Sequence, residues 1–163
     1  MQTQSFMVDV PGGQVFVQRW QPASATSGAA CPIVLLHESL GSVGQWHDFP
    51  ARLAQATGRE VLAYDRLGFG QSSPRSDAPS LQFIAHEAQQ HFPALVAALG
   101  LERYALLGHS VGAVMALHIS VAHPARCLAA LYLSDQAYVQ TQTLEGIREA
   151  QRVIADHPRG ARP

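Results

Sequence analysis

Hydrophobic positions along the chain form short unbroken runs separated by longer stretches with helical spacing. The runs lie at residues 33–36, 61–64, 104–107 and 128–133, and none shows the polar alternation of a half-exposed strand. Unbroken apolar runs of this length are typical of strands buried on both faces, as in a parallel sheet. The pattern therefore predicts four core strands.

Helical patterns separate these strands. A short helix is predicted from Pro50 to Thr57, with proline near its start and Gly58 just past its end. Residues 81–99 place their apolar side chains on one stripe, and Pro93 is expected to kink that helix. A third helix is predicted over residues 111–122.

The first 20 residues show a different pattern of polar and apolar positions. Residues 5–20 alternate in polarity around Pro11-Gly12-Gly13, which predicts a hairpin near a sheet edge. Strands that alternate with helices in this order indicate an α/β protein, with a mostly parallel sheet and helices on both faces.

Composition and charge narrow the function classes. Hydrophobic residues make up 47% of the chain and charged residues only 14%, which argues against disorder and against a coiled coil. Eleven basic and 12 acidic side chains give a formal net charge of −1. A chain without a positive field is not expected to bind nucleic acid or an anionic membrane surface.

The expected compartment is the cytoplasm. The first residues lack the pattern of a secretory signal, and no apolar run approaches the roughly 20 residues that span a bilayer. Cys31 and Cys127 lie far apart in sequence and are expected to be reduced, half-buried thiols.

One motif carries most of the chemical information. Gly108-His109-Ser110-Val111-Gly112 follows a predicted buried strand and opens a predicted helix, as in a nucleophile elbow. Such a turn strains the backbone of its central serine, and glycines on either side let the strand and the helix approach. The free N–H groups of the helix can then stabilise a developing oxyanion. The alternative is a chance Gly/Ser turn before a helix.

Two further segments extend the pattern. His37-Glu38-Ser39-Leu40 follows the first buried strand, and residues 65–72, Asp-Arg-Leu-Gly-Phe-Gly-Gln-Ser, follow the next one. Together with the elbow they resemble the α/β-hydrolase fold family in order and spacing, over about residues 5–138. The resemblance implies a serine hydrolase, esterase-like in its machinery.

The resemblance also implies individual roles. Ser110 would be the nucleophile, and the N–H of Val111 would be one oxyanion-hole donor. The second donor would be the N–H of Ser39, with Leu40 as second choice. In this family the segment that begins at Asp65 shapes a turn, so no chemistry is assigned to that carboxylate.

Glu38 departs from the family pattern, which usually has glycine at this place. A carboxylate beside an oxyanion hole opposes the charge that develops there, unless its side chain turns away. His37 is expected to shape the loop rather than to act as a base.

The family order is serine, acid, histidine. Asp135 is the candidate acid, because it follows the last predicted strand, although the family more often uses the next strand. His118 and His123 lie on the helix that leads away from Ser110. His157 keeps the order but lies in a polar tail with no strand to deliver it. The catalytic histidine, and with it the commoner acid, is therefore expected to be missing.

These gaps predict a partial fold. Residues 1–138 would be the N-terminal part of the core, with about six of eight strands, and residues 139–163 the start of a lid or cap helix and an irregular tail. The chain is expected to be truncated before the last strands. The strand at 128–133 would then be an exposed edge, prone to self-association.

Neither a metal nor a cofactor is predicted. Residues 86–91, His-Glu-Ala-Gln-Gln-His, are one residue too long for the zinc motif H-E-x-x-H, and a solvated helix face is expected there. No glycine-rich stretch has the spacing of a dinucleotide site.

The leading functional hypothesis is a hydrolase of an ester, thioester or related acyl bond in a small molecule. Perhydrolases, haloperoxidases and carbon–carbon bond hydrolases use the same elbow and stay open. One alternative is a catalytically inactive fragment or a hydrolase-like binding protein. Another is a half-domain completed by another chain.

Overall fold

The computed structural model describes residues 1–23, 31–75 and 80–133. The strands are β1 (Gln2–Val10), β2 (Gly13–Gln21), β3 (Ile33–Leu36), β4 (Val61–Tyr64), β5 (Tyr104–His109) and β6 (Cys127–Leu133). The α-helices are α1 (Phe49–Thr57), α2 (Phe83–His86), α3 (Phe92–Ala98) and α4 (Val111–Ala122). A 3₁₀-helix spans Val43–Trp46, and a π-helix spans Glu87–His91 between α2 and α3.

All six strands form one sheet in the order β1-β2-β4-β3-β5-β6. Strand β2 pairs antiparallel with β1 and β4, whereas β4, β3, β5 and β6 are parallel to one another. The predicted edge hairpin and mostly parallel sheet are confirmed. The chain passes from β3 to β4 on one side and reaches β5 on the other. Such a switch point is where open α/β sheets bind ligands, at the carboxyl ends of the strands.

The core lies on both faces of the sheet, as predicted. On one face α1 packs against alternate strand positions, among them Leu35 and Leu107. On the other face α3 and α4 cover the intervening positions, such as Leu36 and Leu106. Because side chains alternate along a strand, strands covered on both faces must be apolar at every position.

The helix predicted over residues 81–99 is interrupted. Its π-helical segment ends directly before Phe92-Pro93, where α3 begins. Proline cannot donate the usual backbone hydrogen bond and crowds the preceding turn, so a widened turn is a common accommodation. The irregularity expected at Pro93 is therefore present as a π segment.

The expectation of a solvated face at residues 86–91 is correct for Gln89 and Gln90, which are exposed, and wrong for Glu87. Glu87 is only 3% exposed. One of its carboxylate oxygens accepts a hydrogen bond from the Tyr64 hydroxyl at 2.6 Å, and the other lies 3.2 Å from His91 Nδ1. A charged side chain can be buried when it has such partners, and sequence pattern alone does not reveal them.

Strand β6 differs from the other parallel strands. It pairs with β5, and within the described residues no strand pairs with its opposite edge. Leu128, Leu131 and Tyr132 are exposed on it, with Leu131 at 53%. The buried strand suggested by its apolar run is therefore wrong, while the exposed edge expected from the partial fold is observed.

Several expectations fall at the limits of the described residues. The division at residue 138 and the helix from Thr143 lie outside them. Cys31 and Cys127 are half-buried free thiols, as expected. No helix in the described part of the chain combines the length and the apolar character needed to cross a membrane.

Candidate active site

The three motifs meet at the carboxyl edge of the sheet. Leu36 at the end of β3 pairs with Gly108 of β5, so the segment that begins at His37 leaves the sheet beside the elbow. Strand β4 lies on the other side of β3 and delivers Asp65 and Arg66 to the same edge. Parallel pairing alone thus brings together segments that are about 30 and 70 residues apart in sequence.

Ser110 occupies the strained turn that the motif predicts. Its backbone has φ 55° and ψ −120°, between the end of β5 and the first residue of α4. Side-chain-bearing residues rarely adopt this region, and such strain is commonly found at functional sites. The Ser110 N–H donates to the Leu133 carbonyl at 2.9 Å, and its own carbonyl accepts from the Ala113 N–H at 2.9 Å. These main-chain bonds hold the turn from both sides.

The two glycines of the motif are required by close backbone contacts. A Cβ on Gly108 would overlap the Gly112 carbonyl and lie 2.6 Å from Ala113 Cα. A Cβ on Gly112 would overlap the Leu36 carbonyl and lie 2.7 Å from the His37 oxygen. The first turn of α4 therefore packs directly against both the end of β5 and the start of the His37–Leu40 loop.

Arg66 holds the His37–Leu40 loop from the inside. Its Nη1 donates to the His37 carbonyl at 2.6 Å, and its Nη2 donates to the carbonyls of Glu38 at 2.6 Å and Ser39 at 3.2 Å. The arginine is 5% exposed. The loop carbonyls are thus directed at the guanidinium, while the N–H groups of Ser39 and Leu40 donate to no other described residue.

His37 is a structural residue of this loop. Its Nε2 accepts the Arg66 backbone N–H at 3.2 Å, and its Nδ1 donates to the Glu38 carbonyl at 2.8 Å, which fixes the neutral tautomer. Burial, reinforced by the Arg66 charge, lowers the pKa of His37 to about 3. The imidazole has no free acceptor nitrogen, so it cannot serve as a base for Ser110.

Asp65 is also structural. Its carboxylate is 1% exposed and accepts the backbone N–H groups of Val43 at 2.5 Å and Gln71 at 2.8 Å. Gly70 has φ 52°, and a Cβ there would overlap the same carboxylate. The aspartate therefore ties the turn after β4 to the 3₁₀-helix that follows the loop.

The side chain of Glu38 runs along the loop toward the 3₁₀-helix. Its Cγ lies 2.9 Å from the place where a Gly41 Cβ would be, and Gln45 Oε1 lies 3.0 Å from that place. Glu38 lines a cavity of about 450 Å³ together with His37, Gln45, Trp46, His47 and His109. A second cavity of about 550 Å³ lies beyond Ser39, with Arg66, Phe69 and Phe83 in its wall.

No described histidine hydrogen-bonds Ser110 Oγ. His118 is exposed on α4, about 12 Å along the helix axis from Ser110. His123, at the far end of α4, places its Nε2 3.1 Å from the Ala88 carbonyl. The ring of His109 lies edge-on to Trp46, with the centroids 6.4 Å apart. Asp135 and His157, the remaining candidates for the acid and the base, lie outside the described residues.

Two parts of the site are not apparent from the sequence. The first is the Arg66 anchor, whose only signal is its place directly after a buried strand. The second is the cavity wall at Gln45, Trp46 and His47. His47 has φ 50° and ψ −121°, nearly the conformation of Ser110, and no glycine pattern marks it.

Comparisons with known proteins agree with this architecture. The family model described as alpha/beta hydrolase fold matches residues 32–162. The chain is 33% identical over 122 residues to 2-hydroxymuconate semialdehyde hydrolase of Pseudomonas sp. (strain CF600), covering 74% of this chain and 42% of that protein. It is 39% identical over 100 residues to human 1-acylglycerol-3-phosphate O-acyltransferase ABHD5, covering 58% of this chain and 27% of that protein.

A solved structure shows the same arrangement. The proline iminopeptidase of Mycobacterium smegmatis superposes with a TM-score of 0.70 at 28% identity, over 93% of this chain and 56% of that one. The chain thus spans less than half the length of the two curated relatives and just over half of this structure.

Proposed function

The chain belongs to the alpha/beta-hydrolase fold family, and we propose that Ser110 is its nucleophile in the cleavage of an ester, thioester or related acyl bond. The substrate would be a small acyl compound, and the chemistry needs no metal or cofactor. Nucleic acid and membrane partners form no part of the proposal.

The observation that carries the proposal is the backbone of Ser110. A serine at φ 55° and ψ −120°, held between β5 and α4, has its hydroxyl carried clear of the sheet rather than packed into it. An ordinary serine before a helix would adopt an extended N-cap conformation and bond its own first turn. Ser110 forms no such cap bond. Its strained conformation is therefore not explained by helix capping.

The proposed oxyanion hole consists of backbone N–H groups around Ser110. Val111 begins α4, and the first N–H groups of a helix have no partner inside the helix. Ser39 and Leu40 present N–H groups without a described acceptor on the loop that Gly112 packs against. Donors held in place before the reaction stabilise the oxyanion of a tetrahedral intermediate without reorganisation.

The base must come from outside the described residues. Within the chain, Asp135 and His157 complete the order Ser, Asp, His. Another chain, a second copy included, is a further source, because β6 leaves an edge that no described strand covers. In either case the base would take the proton of Ser110 as its oxygen attacks the acyl carbon, and would return it to the leaving group.

The names of the relatives are consistent with hydrolysis or acyl transfer as the reaction class. Their names describe a semialdehyde hydrolase, an acyltransferase and an iminopeptidase. Since this chain spans only part of each, those substrates are not carried over.

The decisive experiment is labelling of the purified, folded chain with a fluorophosphonate probe, which reacts with activated serines. We expect labelling that is lost in Ser110→Ala and retained in Ser120→Ala. Ser120 lies on the same helix, where its hydroxyl bonds the Leu117 carbonyl, so the second variant is a matched control. Folded protein that takes up no label would contradict the proposal and favour the inactive fragment or binding protein.

The same assay locates the base. If His157 serves within one chain, His157→Ala abolishes labelling and the rate per molecule does not depend on protein concentration. If a second copy contributes the base, the rate per molecule rises with concentration.

A further inference from the structure

The cavity beside the elbow has an unusual wall for a site that stabilises an oxyanion. Its described lining contains one acidic residue, Glu38, and neither lysine nor arginine. Its lining includes His109, the residue directly before Ser110, and His37, whose carbonyl lies against Gly112 of the elbow. The cavity is therefore placed to hold a substrate group that is bonded near the acyl carbon that Ser110 attacks.

The Glu38 carboxylate belongs to a half-buried residue and lies in the field of the Arg66 charge. It forms no hydrogen bond or ion pair with another described residue. The Nη1 and Nη2 groups of Arg66 donate to loop carbonyls instead, including the carbonyl of Glu38 itself. A bound cation that carries N–H groups would supply the hydrogen-bond donors that no described residue gives this carboxylate.

The His37–Leu40 loop and the glycine that follows it leave room for the Glu38 side chain. Gly41 leaves the space that Glu38 Cγ occupies, and Gln45 Oε1 lies beside the same position. Any larger residue at position 41 would displace either the glutamate or the glutamine. The Glu38 side chain and the Gln45 amide oxygen thus lie close together in the wall of the cavity.

An aromatic side chain completes the wall. Trp46 stacks on Phe49 with ring centroids 5.6 Å apart and an interplanar angle of 25°, which fixes its orientation. The face of an indole attracts cations through its quadrupole. His37, one of three histidines in the wall, stays neutral because burial lowers its pKa to about 3. It therefore brings no competing positive charge at neutral pH.

We propose that this cavity binds a protonated amine of the substrate, with Glu38 as its counter-ion, Gln45 as a hydrogen-bond acceptor and Trp46 as its aromatic wall. The inference rests on the proposed function and narrows its substrate class to acyl compounds that carry an ammonium group near the scissile bond. Glu38 would then be a specificity-determining residue, since it orients the substrate and takes no part in the chemistry.

A pair of isosteric esters tests this inference. β-Alanine ethyl ester carries an ammonium group where ethyl butyrate carries a methyl group, and the two are otherwise alike. Binding is measured by titration of tryptophan fluorescence in Ser110→Ala, so that neither ester is consumed. We expect the cationic ester to bind at least about tenfold more tightly, a difference of about 1.4 kcal/mol.

Variants assign the effect to the cavity. In the same background, Glu38→Gln should remove most of the preference, whereas Glu102→Gln should leave it intact. Glu102 is an exposed glutamate at the other end of β5, so its replacement changes the net charge equally. Trp46→Phe should abolish the fluorescence change, because Trp20, the other tryptophan, is buried in the core on the α1 side of the sheet.

Equal binding of the two esters, or binding of neither, would overturn the inference. So would a cation preference that survives Glu38→Gln. Because the titration uses a protein without Ser110, its result is independent of fluorophosphonate labelling. Cation binding without labelling would support this subsite and contradict the role of Ser110 as nucleophile. Labelling without a cation preference would support the nucleophile and contradict the subsite.

Discussion

The elbow and the His37–Leu40 loop lie side by side, yet they are held by different means. The elbow is fixed by backbone against backbone: Gly108 packs on α4, and Gly112 packs on the end of β3. The loop is fixed by a side chain from another strand, because Arg66 binds three consecutive carbonyls. The nucleophile therefore depends on steric fit, and the oxyanion loop depends on hydrogen bonds to one buried cation.

This difference determines how each region responds to change. Steric fit fails abruptly, since a single methyl group at a backbone contact cannot be accommodated. A hydrogen-bonded loop fails gradually, since each bond contributes separately. Substitutions in the elbow should therefore cause abrupt losses, and substitutions in the loop graded ones.

Gly112→Ala should have the largest effect. The new methyl group would overlap the Leu36 carbonyl, and backbone cannot move aside as a side chain can. We expect a loss of about 3 kcal/mol in the free energy of unfolding, or no folded protein. Urea unfolding measures it. Gly44→Ala is the control, because its nearest neighbour would be Ser42 Oγ at 3.7 Å. Equal losses in both variants would contradict a steric origin.

Ser39→Pro should strongly reduce labelling of Ser110. Proline removes the N–H proposed as an oxyanion donor, and loss of one such donor costs roughly 100- to 1,000-fold in rate. The position tolerates proline, because Gly41 N–H bonds the Glu38 carbonyl and Ser39 is the second residue of that turn. Ser39→Ala keeps the N–H and should label normally. If Leu40→Pro is the slower variant instead, Leu40 is the donor.

Arg66→Lys should loosen the loop without destroying the fold. A lysine cannot reproduce the planar fork that reaches three carbonyls, so at least one buried acceptor is left unpaired. We expect a loss of about 2 kcal/mol in stability together with slower labelling. Arg126→Lys is the matched control, since Arg126 binds the Leu101 and Glu102 carbonyls at the opposite end of β5. It should lower stability and leave the labelling rate of the folded protein unchanged.

His37 should make stability depend on pH in a defined window. Its folded-state pKa of about 3 lies below the ordinary value of 6.5. Between these two pH values the imidazole is protonated in the unfolded chain and neutral in the folded chain. Its contribution is complete above pH 6.5 and is lost as pH falls toward 3, by about 1.4 kcal/mol per pH unit. Urea unfolding at pH 7 and pH 5 should show a smaller drop in His37→Gln than in the native chain. His118→Gln, on an exposed site, should behave like the native chain.

The sequence predicts the elbow better than the loop for the same physical reason. A close backbone contact requires glycine, and Gly108 and Gly112 can be recognised in the sequence by their fixed spacing. The anchor of the loop is a long-range contact between position 66 and positions 37–39, and nothing in local periodicity encodes it. The strands and helices were likewise predictable, because burial on both faces leaves continuous apolar runs.

The errors have a common cause. Glu87 looks like a surface residue until Tyr64 is placed beside it, and β6 looks buried until the neighbours of its faces are known. Both depend on partners distant in sequence. The roles of Asp135 and His157 stay predictions, since those residues lie outside the described part of the chain.

The main-chain bond from Ser110 N–H to the Leu133 carbonyl links the nucleophile to the last described residue of β6. An amide in such a bond exchanges its hydrogen with solvent only when the bond opens. Deuterium uptake at this single amide therefore reports how often the end of the exposed strand separates from the elbow. Substrate that orders the site would therefore slow the exchange of the Ser110 amide hydrogen.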